Sequence, residues 1–122
     1  MTTMIQDKDG VIAAAPSSVP DRHFRNAWMF DSAQTAITED LAAAKIIFQD
    51  KIREVRGPLL EAEDVVYMKA LEADDATAKA ASVAKKKKLR DAPAASAITN
   101  AADIAALKAA WDSDVLGTSP YA

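Results

Sequence analysis

Residues 38–73 read TEDLAAAKIIFQDKIREVRGPLLEAEDVVYMKALEA. Taken in sevens, Leu41, Phe48, Val55 and Ala62 fall on one line of a helix, and Ile52, Leu59 and Val66 fall on the line beside it. A narrow apolar seam ringed by charge is the pattern of a helix that packs along another helix. Thr38 is placed to cap its start, with Glu39 and Asp40 in the first turn, where the macrodipole favours acids. Gly57-Pro58 interrupts the stretch. Glycine followed by proline commonly closes one helix and opens the next, and a proline inside a helix costs about 3 kcal/mol. Yet the seam keeps its phase across the pair, through Ile52, Val55, Leu59, Ala62 and Val66. Two independent helices have no reason to stay in register. One helix kinked at Pro58, about 50 Å long at its full extent, is therefore favoured over two.

The chain around this stretch has 122 residues, enough for one domain. Half of them are hydrophobic but only 6% are aromatic, and alanine supplies much of the apolar total. Alanine favours helix and buries little area, so a thin core is expected. Such a chain gains from burying its seam against copies of itself or a partner. The net charge is −3, which argues against a general nucleic-acid binder. Cysteine is absent, so there is neither a disulfide nor thiolate chemistry. No apolar run approaches the length of a membrane span, and the first ten residues lack the basic and apolar stretches of a signal peptide. The expectation is a protein made and folded in the cytoplasm.

Working outward to the N-terminus, residues 1–20 read as an extended arm. Met4-Ile5-Gln6 and Val11-Ile12-Ala13 flank Asp7-Lys8-Asp9-Gly10, a turn with glycine where a positive φ is wanted. Residues 14–20 hold two prolines and two serines and read as a linker. Residues 21–37 form an aromatic head segment with three of the seven aromatic side chains, Phe24, Trp28 and Phe30. Their parity suits a strand, while the spacing of Phe24 and Trp28 suits a helical turn equally well. A strand at 27–30, a turn at 31–34 and a second strand at 35–37 are favoured. The aromatics are expected to plug a small head, or to form a docking surface, since exposed Trp, Phe and Arg make hot spots.

Toward the C-terminus, residues 72–77 (EADDAT) read as a turn, with Asp74 or Asp75 capping a second helix that runs to about Arg90. Its inner face is assigned to Ala76, Ala80, Val83 and Ala84, small enough for close backbone approach in an antiparallel hairpin. Asp91-Ala92-Pro93 stops it. After a loop at 93–98, Thr99 or Asn100 caps a last short helix at 101–111, with Ile104, Leu107 and Trp111 on its apolar side. Residues 112–122 are expected to be a disordered tail. The fold class is thus mainly α: a long helical hairpin with a short C-terminal helix and a small N-terminal β-hairpin.

Groups that carry chemistry do not converge. Lys85, Lys86, Lys87, Lys88 and Arg90 are the most visible charges, but consecutive residues point in different directions around a helix, and cations are favoured near its C-terminus. The Asp7–Gly10 turn lacks the later oxygen ligands of a calcium loop, since Pro16 stands where that loop needs glutamate. His23 is the single histidine, and a zinc site built on it would need carboxylates for every other ligand. Nothing resembles a nucleophile elbow. The three glycines are too far apart for a phosphate loop. Glu61, Glu63 and Asp64 lie on different helix faces, which leaves a paired-carboxylate site unsupported. Neither a catalytic residue nor a cofactor or metal site is expected.

Three stretches carry a family likeness: Asp21-Arg22-His23-Phe24-Arg25-Asn26-Ala27-Trp28; residues 51–64, KIREVRGPLLEAED; and Lys87-Lys88-Leu89-Arg90-Asp91-Ala92-Pro93. In this order, followed by a short helix ending in Trp111, they resemble small proteins encoded beside the tail-fibre genes of tailed bacteriophages. The Arg-rich helix, Leu59-Leu60, Asp64 and the Leu89-Arg90-Asp91 run are also similar to phage tail assembly chaperones. The likeness covers residues 20–111. Members usually carry alanine at the place of Gly57, so this chain departs from the pattern where helix continuity is decided. The resemblance implies a non-enzymatic virion protein of the tail or tail fibre, with a transient assembly chaperone as the alternative. Its expected partners are copies of itself and other tail or fibre proteins, with no small-molecule substrate, no membrane and no nucleic acid. The residues expected to make those contacts are Phe24, Trp28, Phe30, Phe48, Ile52, Val55, Leu59, Val66 and Trp111.

Overall fold

A computed structural model describes residues 3–20 and 22–121. The expected segment ends at Met1, Asp21 and Ala122 lie outside the described residues. The chain is mainly α, with two small antiparallel β-hairpins ahead of the helices.

The first hairpin pairs β1 (Met4–Gln6) with β2 (Ile12–Ala14) in the register Met4↔Ala14, Ile5↔Ala13, Gln6↔Ile12. Gly10 makes the turn at φ +85°, as its lack of a Cβ allows. The hairpin does not stand off as an arm. The Lys8 amide donates to the Trp28 carbonyl at 2.9 Å, and the Arg25 guanidinium donates to the Gln6 carbonyl at 2.7 Å.

A 3-10 helix follows at Arg22–Ala27. Phe24 departs from helical geometry within it (φ −113°, ψ 35°), and Phe24 and Ala27 are both fully buried. The second hairpin pairs β3 (Trp28–Phe30) with β4 (Ile37–Glu39). The second strand therefore starts two residues later than 35–37. The Asp31 carboxylate explains the shift: it accepts from the Thr35 and Ala36 amides and from the Thr35 hydroxyl, which holds residues 31–36 as one closed loop. Thr38 lies in the strand opposite Met29 and does not cap the helix. Asp40 does so, its Oδ1 accepting from the Ala42 and Ala43 amides.

The long helix, α1, runs unbroken from Leu41 to Glu72, 32 residues or about 48 Å. It continues through Gly57 and Pro58. Asp74, with a left-handed φ of +53°, turns the chain, and the Asp75 carboxylate caps α2 (Ala76–Asp91) by accepting from the Ala78 amide at 3.0 Å. The two helices pack as an antiparallel hairpin. The inner face of α2 is not the expected one. Ala76, Ala80, Val83 and Ala84 are exposed, while Ser82 and Leu89 are buried. Close approach is real, but Ser82 provides it: its Oγ donates to the Glu63 carbonyl at 3.3 Å.

Residues 92–121 fold back over the base of the hairpin. A 3-10 turn (Ala92–Ala94) leads into α3 (Ser96–Thr99), α4 (Ile104–Ala109) and α5 (Ser113–Leu116). The expected loop at 93–98 is thus largely helical, and α4 begins at an Asp103 cap, later than 101. The expected disordered tail is docked, with Leu116 buried and the Trp111 indole N–H donating to the Gly117 carbonyl at 3.0 Å.

Candidate interaction surface

The hydrophobic core gathers at the base of the hairpin. It joins Phe24, Ala44, Phe48 and Ile52 to Leu89, Ile98, Leu107, Trp111 and Leu116. Most of the residues expected to face a partner are here instead. Phe24, Trp28 and Phe48 are 0% exposed, Ile52 is 1% and Trp111 is 7%. Phe30, Val55 and Leu59 are half-buried, the last two against the core. The seam over Phe48 and Ile52 closes the chain on itself.

Beyond Leu59 the heptad reading loses the buried face. Val66 is 48% exposed and Ala62 is exposed, while Glu63 and Ala70 are buried. The face that packs inward follows steps of eleven: Leu41, Ile52, Glu63 and, beside it, Phe48, Leu59, Ala70. A straight helix of 3.6 residues per turn drifts about 20° per heptad against a strict 3.5 repeat. From Ile52 to Val66, two heptads, that drift of about 40° carries Val66 off the contact line. The far half of the hairpin is then held largely by polar links. Lys85 Nζ lies 3.4 Å from the buried Glu63 carboxylate, and Lys86 pairs with Asp64 while its ammonium sits 4.9 Å from the Tyr67 ring centroid.

Tyr121, within the expected tail, is the hub of the aromatic group. It stacks on Phe24 at 5.3 Å and on Phe48 at 5.2 Å, and meets Trp111 and His23 edge-on at 5.9 and 5.0 Å. Burial, with the Glu54 charge nearby, pushes its phenol above the usual value. Trp28 lies apart from this group, under the Arg25 guanidinium at 4.7 Å. No composition signal distinguishes Tyr121 from a loose tail residue. Its role follows only from the chain's return over α1.

Two of the stretches behind the phage likeness meet: the Arg56 guanidinium donates to the Arg90 carbonyl at 2.7 Å, and Leu89 is fully buried. Gln49, just ahead of the second stretch, donates to the Pro93 carbonyl at 2.9 Å. Arg56 thus satisfies a carbonyl at the end of α2 that the helix leaves without an intrahelical donor.

Among the described residues two surfaces stand out. Large apolar side chains stand half-exposed on the far half of the hairpin: Val65, Val66, Met68 and Leu71 on α1, and Val83 on α2. A groove of about 640 Å³ lies between α2's last turns and α5, with Ile52 of α1, four alanines, Val115 and Leu116 in its lining. Its rim carries Lys87 and Lys88 together with Asp91, Asp112 and Asp114. Among the described residues, no group of three or more His, Asp or Glu side chains is placed to hold a metal ion, and no helix is long and apolar enough to cross a membrane. Comparison with protein-family models, with curated proteins and with solved structures gave no match.

Proposed function

We propose that the chain is a non-enzymatic structural protein of the tail or tail-fibre apparatus of a tailed bacteriophage, carried in the virion and acting through protein contacts. One observation carries the reading. Five large apolar side chains of α1 stay about half exposed, Ile46 near its start and Val65, Val66, Met68 and Leu71 on the far half, while the same helix buries Phe48 and Ile52 against its own chain. Contiguous exposed apolar surface of this kind marks a protein-contact site. The chemistry-bearing side chains point the same way by their dispersal: His23 packs against Tyr121, and Glu63 and Asp64 are engaged with lysines of α2. The internal contacts among Arg56, Leu89 and Arg90 give the phage-like motif a physical use, as the clasp at the base of the hairpin.

The exposed row serves an assembly chaperone as well as a virion component, and the two differ in where the protein ends up. Mass spectrometry of purified particles decides between them. Stoichiometric presence is the expected result. Absence from particles, with recovery on a fibre or tail protein before assembly, transfers the reading to the chaperone. Salt-sensitive DNA binding that vanishes when Lys85, Lys86, Lys87 and Lys88 are neutralised overturns both.

A further inference from the structure

Residues 117–121 cross back over the base of the hairpin as a strap. α5 ends in the buried Leu116, and Gly117 then turns the chain at φ +83° and ψ −167°. That backbone region is open to glycine almost alone. Gly117 and Thr118 are exposed, and a Cβ placed on Gly117 meets nothing within 4 Å. The glycine is there for its conformation and not for want of space. Past this hinge the strap is shaped by its own residues: the Ser119 Oγ accepts from the Tyr121 amide at 3.1 Å, and Pro120 restricts its own φ.

The Tyr121 ring is the plug. Its plane lies 8° from that of Phe24 and 24° from that of Phe48. The slot that takes it is made by other elements: Phe24 comes from the 3-10 helix, Phe48 from α1, and Trp111 follows α4. Phe48 and Trp111 also meet each other edge-on at 5.9 Å, so the slot has support besides its plug. It opens to solvent, because a cleft of about 460 Å³ runs beside Pro120 and Tyr121, with His23, Asn26 and Glu54 in its lining. A ring can leave and enter the slot from outside while the helices stay packed.

We propose that this strap is exchangeable between copies of the chain: Tyr121 of one copy leaves its own slot and fills the same slot of a neighbouring copy. The fit needs no new surface, because the contacts made between chains are those already made within one. Exchange of an identical element is a low-cost route to a dimer, and its reciprocity closes the pair about a two-fold axis. The four residues past Gly117 span at most about 14 Å, which sets the two copies base to base. In dilute solution a strap meets its own slot at the higher effective concentration and stays there. Exchange takes over where copies are held together. This inference rests on the reading of the chain as an assembly protein and names one contact between its copies.

The test uses the full chain and static light scattering. Gly117→Val removes the conformation that returns the strap to its own slot, and leaves plug and slot intact. At a dilution where the wild type shows the chain mass of 13.0 kDa, this variant is expected to show twice that mass. Gly117→Val combined with Tyr121→Ala is expected to return to 13.0 kDa. A folded Gly117→Val protein that stays at the mass of one chain overturns the exchange, as does a dimer that survives loss of the Tyr121 ring. Circular dichroism melting checks that each variant is folded, and Gly117→Ala takes the place of Gly117→Val if the latter is not. Presence of the chain in particles is read separately, so failure here leaves the virion reading standing.

Discussion

Asp7 ties its own turn to β3 through three amides on one carboxylate. Its Oδ1 accepts from the Asp9 and Val11 amides, each at 2.9 Å, and its Oδ2 accepts from the Phe30 amide at 3.0 Å. The Phe30 amide foremost, then those of Val11 and Asp9, hold its carboxyl below the ordinary value against the opposing effect of burial. Asp40 is lowered chiefly by Lys8, and Asp31 chiefly by the Thr35 amide. Each folded value lies below the unfolded one. The stability these groups contribute is therefore complete at neutral pH and is lost as pH falls through the lowered folded values. The melting temperature should drop steeply between about pH 5 and pH 2. Asp7→Asn, whose amide nitrogen cannot accept from Phe30, should melt lower at pH 7 and show a shallower acid slope. Thermal melts of the two proteins across that range check both. Tyr121 is the other residue on which much turns. Truncation to alanine removes the ring that four others touch and should cost about 2 kcal/mol, less than for a fully buried aromatic because the side chain is only half-buried. Denaturant unfolding should show it as a lower midpoint at unchanged slope.

Among the elements, α1 shows best how much the sequence declares. Its existence, its run through Pro58 and its hairpin partner were all legible, although the seam that argued for continuity stays on the buried side only as far as Leu59, just past Pro58. The inward face was legible only as far as Leu59. Counting in sevens tracks the contact line for two heptads, and then Glu63, which looks like a surface acid, takes the place expected of an apolar residue. The face of α2 was misread for a related reason. Alanine is so frequent that small residues line several sides, and Ser82, the one that reaches the Glu63 carbonyl, carries no periodic signal. Caps were displaced by local competition: Thr38 is drawn into β4 by its partner Met29, and Asp40 takes over. Gly57 weakens α1 without a compensating contact, since a Cβ placed there meets nothing within 4 Å. Gly57→Ala should stabilise the protein by about 0.5–1 kcal/mol, seen as a melting temperature a few degrees higher. An unchanged or lower value would mean that the helix gains from flexibility before Pro58.

The whole molecule has two unlike ends. At the base, the first half of α1 is wrapped by the 3-10 segment, the end of α2 and residues 92–121, and the large aromatics lie inside. At the far end, two helices run side by side over Ser82, Ala70 and a set of lysine–carboxylate pairs, with apolar side chains turned outward. The aromatic segment reads in sequence as a plug or a docking surface, and in the structure Phe24 and Trp28 are the plug. The seam, expected to seek copies or a partner, is used over Phe48 and Ile52 to fold the chain, and the apolar side chains left exposed include Val65 and Met68 on another side of the same helix. Sequence periodicity marks apolar positions but does not say which of two apolar lines the chain's own C-terminal part will cover.

That division of α1 into a folding face and a contact face is tested most directly by melting Ile52→Asp beside Val65→Asp/Met68→Asp, with light scattering on each. Ile52→Asp buries an unpaired charge and should abolish cooperative unfolding. The Val65 and Met68 pair should melt within a few degrees of the wild type while holding the mass at 13.0 kDa. A folded, monomeric Ile52→Asp protein would contradict the account, because it would place the seam between chains rather than within one.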